Sequence, residues 1–279
     1  PNINLVDCFL RTIGTVVCIF NHKSAHNQYS QSLERTWTAT FEYQNGTHSN
    51  KVNSNVIYGC EHRHSLVIEF PFISDIPEKI MIDAPYYWQS PYVNVSITEP
   101  KGNYFLVGYT SISEHYFESS DKNERYKNQL FVLIEWINYH LFNGFDHMVV
   151  YIDLHQPQEE FVSYMESGLS EMIKMDKVSM LTFRNYNSES FHFQQALGMH
   201  CLERFRYKAK WFSPFDVDEY YESKSSRNIR EELINLGLKC NNVTIQVFSQ
   251  FWGRPDNTCW STNLTSITNK KEGYIQEAF

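Results

Sequence analysis

Residues 104–112 read YFLVGYTSI, residues 128–142 read NQLFVLIEWINYHLF, and residues 148–152 read MVVYI. The first and third are runs of β-branched and aromatic residues, as strands require, whereas the second places Leu130, Ile134, Ile137 and Leu141 on one helical face. Gly144 suits the stop of that helix. Because residues 148–152 do not alternate with polar positions, the strand they predict is covered on both faces. Strand, helix, strand in this order is the unit from which parallel sheets are built.

The pattern continues downstream. Pro157 followed by Glu159 and Glu160 marks a helix start, with Phe161, Met165, Leu169 and Met172 or Ile173 as its buried stripe. Residues 177–183 predict a strand, 191–205 a helix and 209–215 another strand. The sum is an α/β fold with a mostly parallel, Rossmann-like sheet and helices on both faces. In such sheets ligands bind beyond the carboxyl ends of the strands, which puts the residues just after Phe215 on the functional rim. Asn228-x-x-Glu231 predicts a capped helix ending near Gly237, and residues 243–252 a half-buried strand. Upstream, residues 14–20, 36–43, 55–58, 66–70 and 92–97 read as strands separated by turn residues. The expected organisation is a small all-β domain over residues 1–100, a linker at 99–103 and an α/β domain over 104–279.

Composition narrows the function. A chain of 279 residues with 18 Tyr and 20 Phe has the packing groups for a substantial core. Its net charge of -8 offers no basic footprint for a phosphate backbone, so nucleic acid is not an expected partner. The apolar runs at 13–20 and 148–152 fall short of the roughly 20 residues that span a bilayer. The chain starts at Pro1 with no apolar leader, so any membrane anchor is expected to lie outside it.

Asn45, Asn94, Asn242 and Asn263 each open a glycosylation acceptor pattern, and six cysteines accompany them. Together they predict the secretory pathway, where disulfides persist; the bland alternative is that Asn, Ser and Thr are simply abundant. No Cys-x-x-Cys spacing occurs, which disfavours zinc knuckles and thioredoxin chemistry.

Asp216 and Asp218 follow the strand at 209–215 directly. On an extended backbone both carboxylates would project to the same side. Hard oxygen ligands so paired suit Mg2+ or Mn2+, ions that leave positions open for phosphate oxygens. Their chemical use is to neutralise charge on a departing diphosphate. An EF-hand is excluded, since Tyr220 stands where a third ligand is required. The alternative is a pair of solvated loop residues.

Context favours the chemical reading. Residues 208–220, KAKWFSPFDVDEY, resemble the K-W-x-x-F-x-D-V-D-E-F segment of glycosyltransferase family 92. Residues 133–140 with 144–147 and 150–153 resemble its E-W-I-E-Y-H, G-V-D-H and Y-I-Y-D blocks, and Gln194-Gln195 with residues 201–206 its Q and D-C-L-x-R-Y-R helix. These ordered blocks cover about residues 104 to 222. The resemblance implies a GT-A fold, a UDP-sugar donor (UDP-galactose), Mn2+, inversion at the anomeric carbon, and the Golgi-lumenal portion of a type II membrane protein acting on a glycan acceptor. It makes Asp216 and Asp218 metal and donor ligands and Asp153 a contact for uridine or ribose. Thr110 and Ser111 are implied to line the nucleotide pocket, although the family's Cys and Pro there are replaced.

Other residues have plain readings. Trp136 is expected to pack, His140 to be a satisfied histidine, and Gln194 and Gln195 to lie on a helix face. The Glu61-His62-Arg63-His64 cluster reads as the polar face of a strand. No carboxylate can be assigned as the general base that an inverting transfer needs; Asp256 is better explained by a turn. The chain ends about sixty residues after Asp218, whereas family members continue, so a C-terminal truncation is expected. The rival reading is a non-catalytic carbohydrate-binding or interaction protein that keeps the fold.

Overall fold

The structure is a computed structural model that describes residues 3–12, 14–22, 37–54, 56–60, 65–72, 75–84, 88–89, 93–95, 100–113, 121–154, 158–184, 190–221, 228–237, 244–250 and 269–277. Two antiparallel sheets come first. Strands β1 (Ile3–Thr12), β2 (Thr15–His22), β5 (Val56–Cys60) and β6 (Ser65–Pro71) form one, in the order β1-β2-β6-β5. Strands β3 (Thr38–Glu42), β4 (Val52–Asn53), β7 (Lys79–Ala84) and β8 (Trp88–Gln89) form the other, with β9 (Val93–Asn94) paired to β7. Their facing residues, among them Val16, Phe20, Trp37, Phe41, Ile68, Phe70 and Ile80, make one buried cluster. Cys8 and Cys18 sit opposite each other on β1 and β2 and are disulfide-bonded.

The third sheet is mixed. It contains β10 (Tyr104–Ser113), β11 (His147–Leu154), β12 (Val178–Arg184), β13 (Ala209–Pro214), β14 (Thr244–Gln250) and β15 (Asn269–Glu277), in the order β12-β11-β10-β13-β15-β14. The first four are parallel and β15 runs antiparallel to both its neighbours. The helices are α1 (Lys122–Phe142), α2 (Glu159–Lys174), α3 (Ser190–Phe205) and α4 (Ile229–Gly237). Every residue of β11 is buried, as its unbroken apolar run demands. Met148, Val150 and Ile152 join Leu133, Trp136 and Ile137 of α1 and Phe161, Met165 and Leu169 of α2. Val149 and Tyr151 turn the other way, onto Leu197, Cys201 and Phe205 of α3. This α/β architecture is the one the sequence predicts.

α3 also packs on the first antiparallel sheet, where Met199 touches a cluster of Phe9, Val17, Ile19 and Val67. Full burial of such side chains contributes about 1.5–3 kcal/mol each, so apolar contact does most of the holding. Ionic contacts fix the fit. Arg11 of β1 pairs with Glu69 of β6 at 2.6 Å and with Glu203 of α3 at 2.9 Å. Asp7 accepts from the Nε2 of His200 at 2.9 Å, while Tyr151 Oη meets the Nδ1 of the same ring at 2.9 Å. Burial drives the His200 pKa down, against the pull of Asp7.

Three expectations need correction. Strands β1 and β7 were not expected. In β1 Asp7 and Arg11 interrupt the apolar pattern because their partners lie on α3. α1 starts earlier than expected, capped by the Asp121 carboxylate on the amides of Asn123 and Glu124. Its buried stripe is Tyr126, Gln129, Leu133, Trp136, Ile137 and His140, so Leu130, Ile134 and Leu141 flank it. The expectations for α2 and for the Asn228 cap are met, the latter by a 2.9 Å bond from the Glu231 amide to Asn228 Oδ1. Gly144 takes φ +105°, which a residue with a Cβ rarely adopts.

Candidate functional site

Along the parallel part of the sheet, chain order reads third, second, first, fourth. The direction of winding therefore reverses between β10 and β13. In doubly wound sheets such a reversal, at the carboxyl ends of the strands, is where ligands bind. The acidic pair lies there. The Phe215 amide still donates to Tyr109 O at 3.0 Å, extending the β10–β13 pairing, and Asp216 follows at once.

Beyond Phe215 the backbone turns instead of staying extended, because the Glu219 amide donates to Asp216 O at 2.9 Å. The Glu219 carboxylate folds back to accept the Asp216 amide at 3.1 Å, so the turn is closed from both ends. Val217 is 3% exposed and belongs to the core shared with α1, whereas Asp216 and Asp218 are exposed. The two carboxylates are thus presented to solvent on either side of a buried anchor. The expectation of an extended pair is corrected to a turn whose apolar centre, not its strand geometry, sets the presentation.

α1 braces this turn. The indole N–H of Trp136 donates to Glu219 O at 2.9 Å, and the hydroxyl of Tyr139 donates to Tyr221 O at 2.7 Å. His140, one residue further, is fully buried, and its Nδ1–H donates to Trp136 O at 2.9 Å. Its Nε2 faces no hydrogen-bond partner among the described residues. The ring lies among Trp136, Phe215, Phe145, Tyr139 and Tyr220, with Tyr220 stacked at 22°. Burial pushes its pKa down to about 4, so the imidazole is neutral. Trp136 packs in the core as expected and, with Tyr139, also donates to the backbone of the acidic segment, whereas His140, expected to be satisfied, is bonded through Nδ1 alone among the described residues.

The other candidates are dispersed. Thr110 is 1% exposed. Successive strand residues face opposite sides, so Thr110 shares the α1 face with Leu106 and Ile112 while Ser111 shares the α3 face with Val107 and Tyr109. Only Ser111 of the two can face a crevice on the α3 side. Asp153 stands on that same side beyond Val149 and Tyr151, opposite Ser113 of β10, and is 7% exposed. Gln194 and Gln195 fall in α3, but their side chains, like Glu61–His64, Asp256, Asn242 and Asn263, lie outside the described residues.

The Gly144-Phe145-Asp146-His147 block is at the opposite end of the sheet. Asp146 Oδ2 accepts from the amides of Phe105 and Leu106 at 2.7 and 3.1 Å, and its other oxygen holds Arg230 of α4. His147 is bonded through Nδ1 to Asp176 O and through Nε2 to Ser179 Oγ, each at 2.9 Å. This block secures strand starts, and its Phe145 ring meets Phe215, just before the acidic turn, at 5.7 Å.

Among the described residues no group of three His, Cys, Asp or Glu side chains could hold a metal. Two exposed carboxylates nevertheless fit a hard divalent ion that takes its remaining ligands from phosphate and water.

No curated protein matches the sequence. Among solved structures, a siderophore-interacting protein from Acinetobacter baumannii overlaps with 9% identity, 77% of this chain and 76% of the other, at a TM-score of 0.19. A flavohemoglobin from Malassezia yamatoensis overlaps with 11% identity, 76% of this chain and 59% of the other, at 0.18. Overlaps at that level carry no argument. Residues 122–258 match the model of glycosyltransferase family 92, a stretch that begins at α1 and contains the brace, the acidic turn and α4. That match identifies residues 122–258 as a glycosyltransferase family 92 region.

Proposed function

We propose that the protein is a metal-dependent, inverting glycosyltransferase of GT-A fold that moves a hexose, galactose by family likeness, from a UDP-sugar to a glycan hydroxyl. The family match supplies the reaction class, glycosyl transfer. The observation that carries the finer reading is Val217, buried between two exposed carboxylates at the switch point of the sheet. Asp216 and Asp218 would ligate Mn2+ or Mg2+ through oxygen. Bound there, the ion neutralises charge that builds on the leaving diphosphate. Ser111 and Asp153, on the α3 side toward the carboxyl ends of β10 and β11, are assigned to the nucleoside, and Thr110 lies on the other face. The acceptor patterns and the Cys8–Cys18 disulfide support a lumenal, Golgi setting, with a type II anchor outside this chain.

The test is UDP release from a panel of UDP-sugars, with and without Mn2+, for native protein and Asp218→Ala. Release from one donor that needs Mn2+ and is lost in the variant is the expected result. Release indifferent to both would end the proposal, and calorimetry showing sugar binding without metal or UDP would favour a binding-only protein.

A further inference from the structure

We propose that Trp136 and Tyr139 are positioning residues that set the metal affinity of the acidic turn from the face of α1, an inference that rests on the function proposed above. Residues three apart on a helix share one face, so a single helix surface presents the indole N–H and the phenol O–H together. Their acceptors are the carbonyls of Glu219 and Tyr221, at 2.9 and 2.7 Å. Glu219 is the residue whose amide and carboxylate both close on Asp216. Holding Glu219 at its carbonyl therefore holds both ends of the turn. Val217 fills the core beneath, and His140 backs Phe215 and Tyr220 on either side of the acidic pair. None of these groups needs to touch a ligand. They fix the backbone that aims Asp216 and Asp218, and an ion that relies on two protein carboxylates is sensitive to their mutual placement.

The variants Trp136→Phe and Tyr139→Phe delete one donor each and keep a ring in place. Tyr126→Phe is the matched control: it removes a hydroxyl from the same helix that bonds Gln158 at 3.2 Å, away from the turn. Amide hydrogen exchange over residues 216–221, without ligand, reads the brace, and calorimetric titration of Mn2+ with UDP reads its consequence. In both brace variants exchange should speed up and Mn2+–UDP binding weaken by about five- to tenfold, following the usual worth of a hydrogen bond. Saturating Mn2+ should restore turnover, and Tyr126→Phe should bind as native protein does. Brace variants that bind Mn2+–UDP like native protein, or a control that weakens equally, overturn the positioning role alone. Native protein that binds no Mn2+–UDP overturns the proposed function and this role with it.

Discussion

Replacing His140 by Phe should remove a defined part of the protein's acid sensitivity. The imidazole is fully buried among Trp136, Phe145, Phe215, Tyr139 and Tyr220, and its one hydrogen bond goes to a helix carbonyl through Nδ1–H. A proton on Nε2 would find no acceptor among the described residues. The folded pKa is accordingly depressed to about 4, below the roughly 6.5 of an unfolded chain. Between those values the unfolded chain binds the extra proton. The stability is therefore fully present above about pH 6.5 and is lost as pH falls toward 4. The whole gap is worth about 3 kcal/mol, of which about 2 kcal/mol is gone by pH 5. For a chain of this size that is a fall in melting temperature of about 4–8 °C. Phe fits the aromatic surround and cannot titrate. Melting followed by tryptophan fluorescence at pH 7.5 and pH 5 should show native protein losing about that much more than His140→Phe. His147 and His200, also held neutral by burial, remain in both proteins and cancel in the comparison. Equal losses would refute the reasoning and mean that the rings accept the cation, an attraction of about 0.5–2 kcal/mol.

Arg11→Ala should cost about 3–5 kcal/mol in urea unfolding, because it takes the buried cation from Glu69 and leaves Glu203 only the longer 3.5 Å contact with Arg206, at the seam between β1, β6 and α3. Adding Glu69→Gln and Glu203→Gln should recover much of that loss; no recovery would mean that Arg11 acts through packing. Gly198→Ala places a Cβ 2.6 Å from Tyr109 Oη and should cost about 1–3 kcal/mol. Tyr109→Phe in the same protein should relieve it, since the next ring atom is 3.4 Å away, and a double variant as unstable as the single would locate the conflict elsewhere.

Elements whose residues answer to their own local period were legible. β11 could be read because residues 148–152 form an unbroken apolar run, and α2 because Phe161, Met165 and Leu169 repeat at helical spacing. β1 could not, since the residues that break its pattern, Asp7 and Arg11, are satisfied by α3, some 190 residues away. A buried ion pair leaves no periodic trace. The stripe of α1 was misread for a related reason. Trp136, Gln129 and His140 are buried in place of Ile134 and Leu141 because the helix must bond the carbonyls of Ser113, Glu219 and Tyr221 as well as cover the sheet. Hydropathy scores the apolar residues and is silent on which face carries donors. The pair Asp216 and Asp218 was legible as a candidate by type and spacing, but its turn was not, because the bonds that close it involve Glu219 and a core that includes α1.

The family's sequence blocks divide by physical task. Asp146 and His147 tie down the entry of β10 and β12 through backbone amides, a carbonyl and Ser179, work that keeps the sheet in register. Trp136, Tyr139 and His140 lie on the same helix that ends just before that block, yet they reach the exit of β13. α1 is therefore one rigid body with its base fixed beside the strand entries and its flank holding the acidic turn. The two places are less than two helical turns apart, roughly 9 Å from Trp136 to Phe142 at about 1.5 Å per residue. This is why an Asp-x-Asp alone is a weak signal while the same pair preceded by the Trp136 block is a strong one. The carboxylates provide the charge, while the side-chain donors to the backbone just beyond them, Trp136 and Tyr139, lie about eighty residues earlier in the chain.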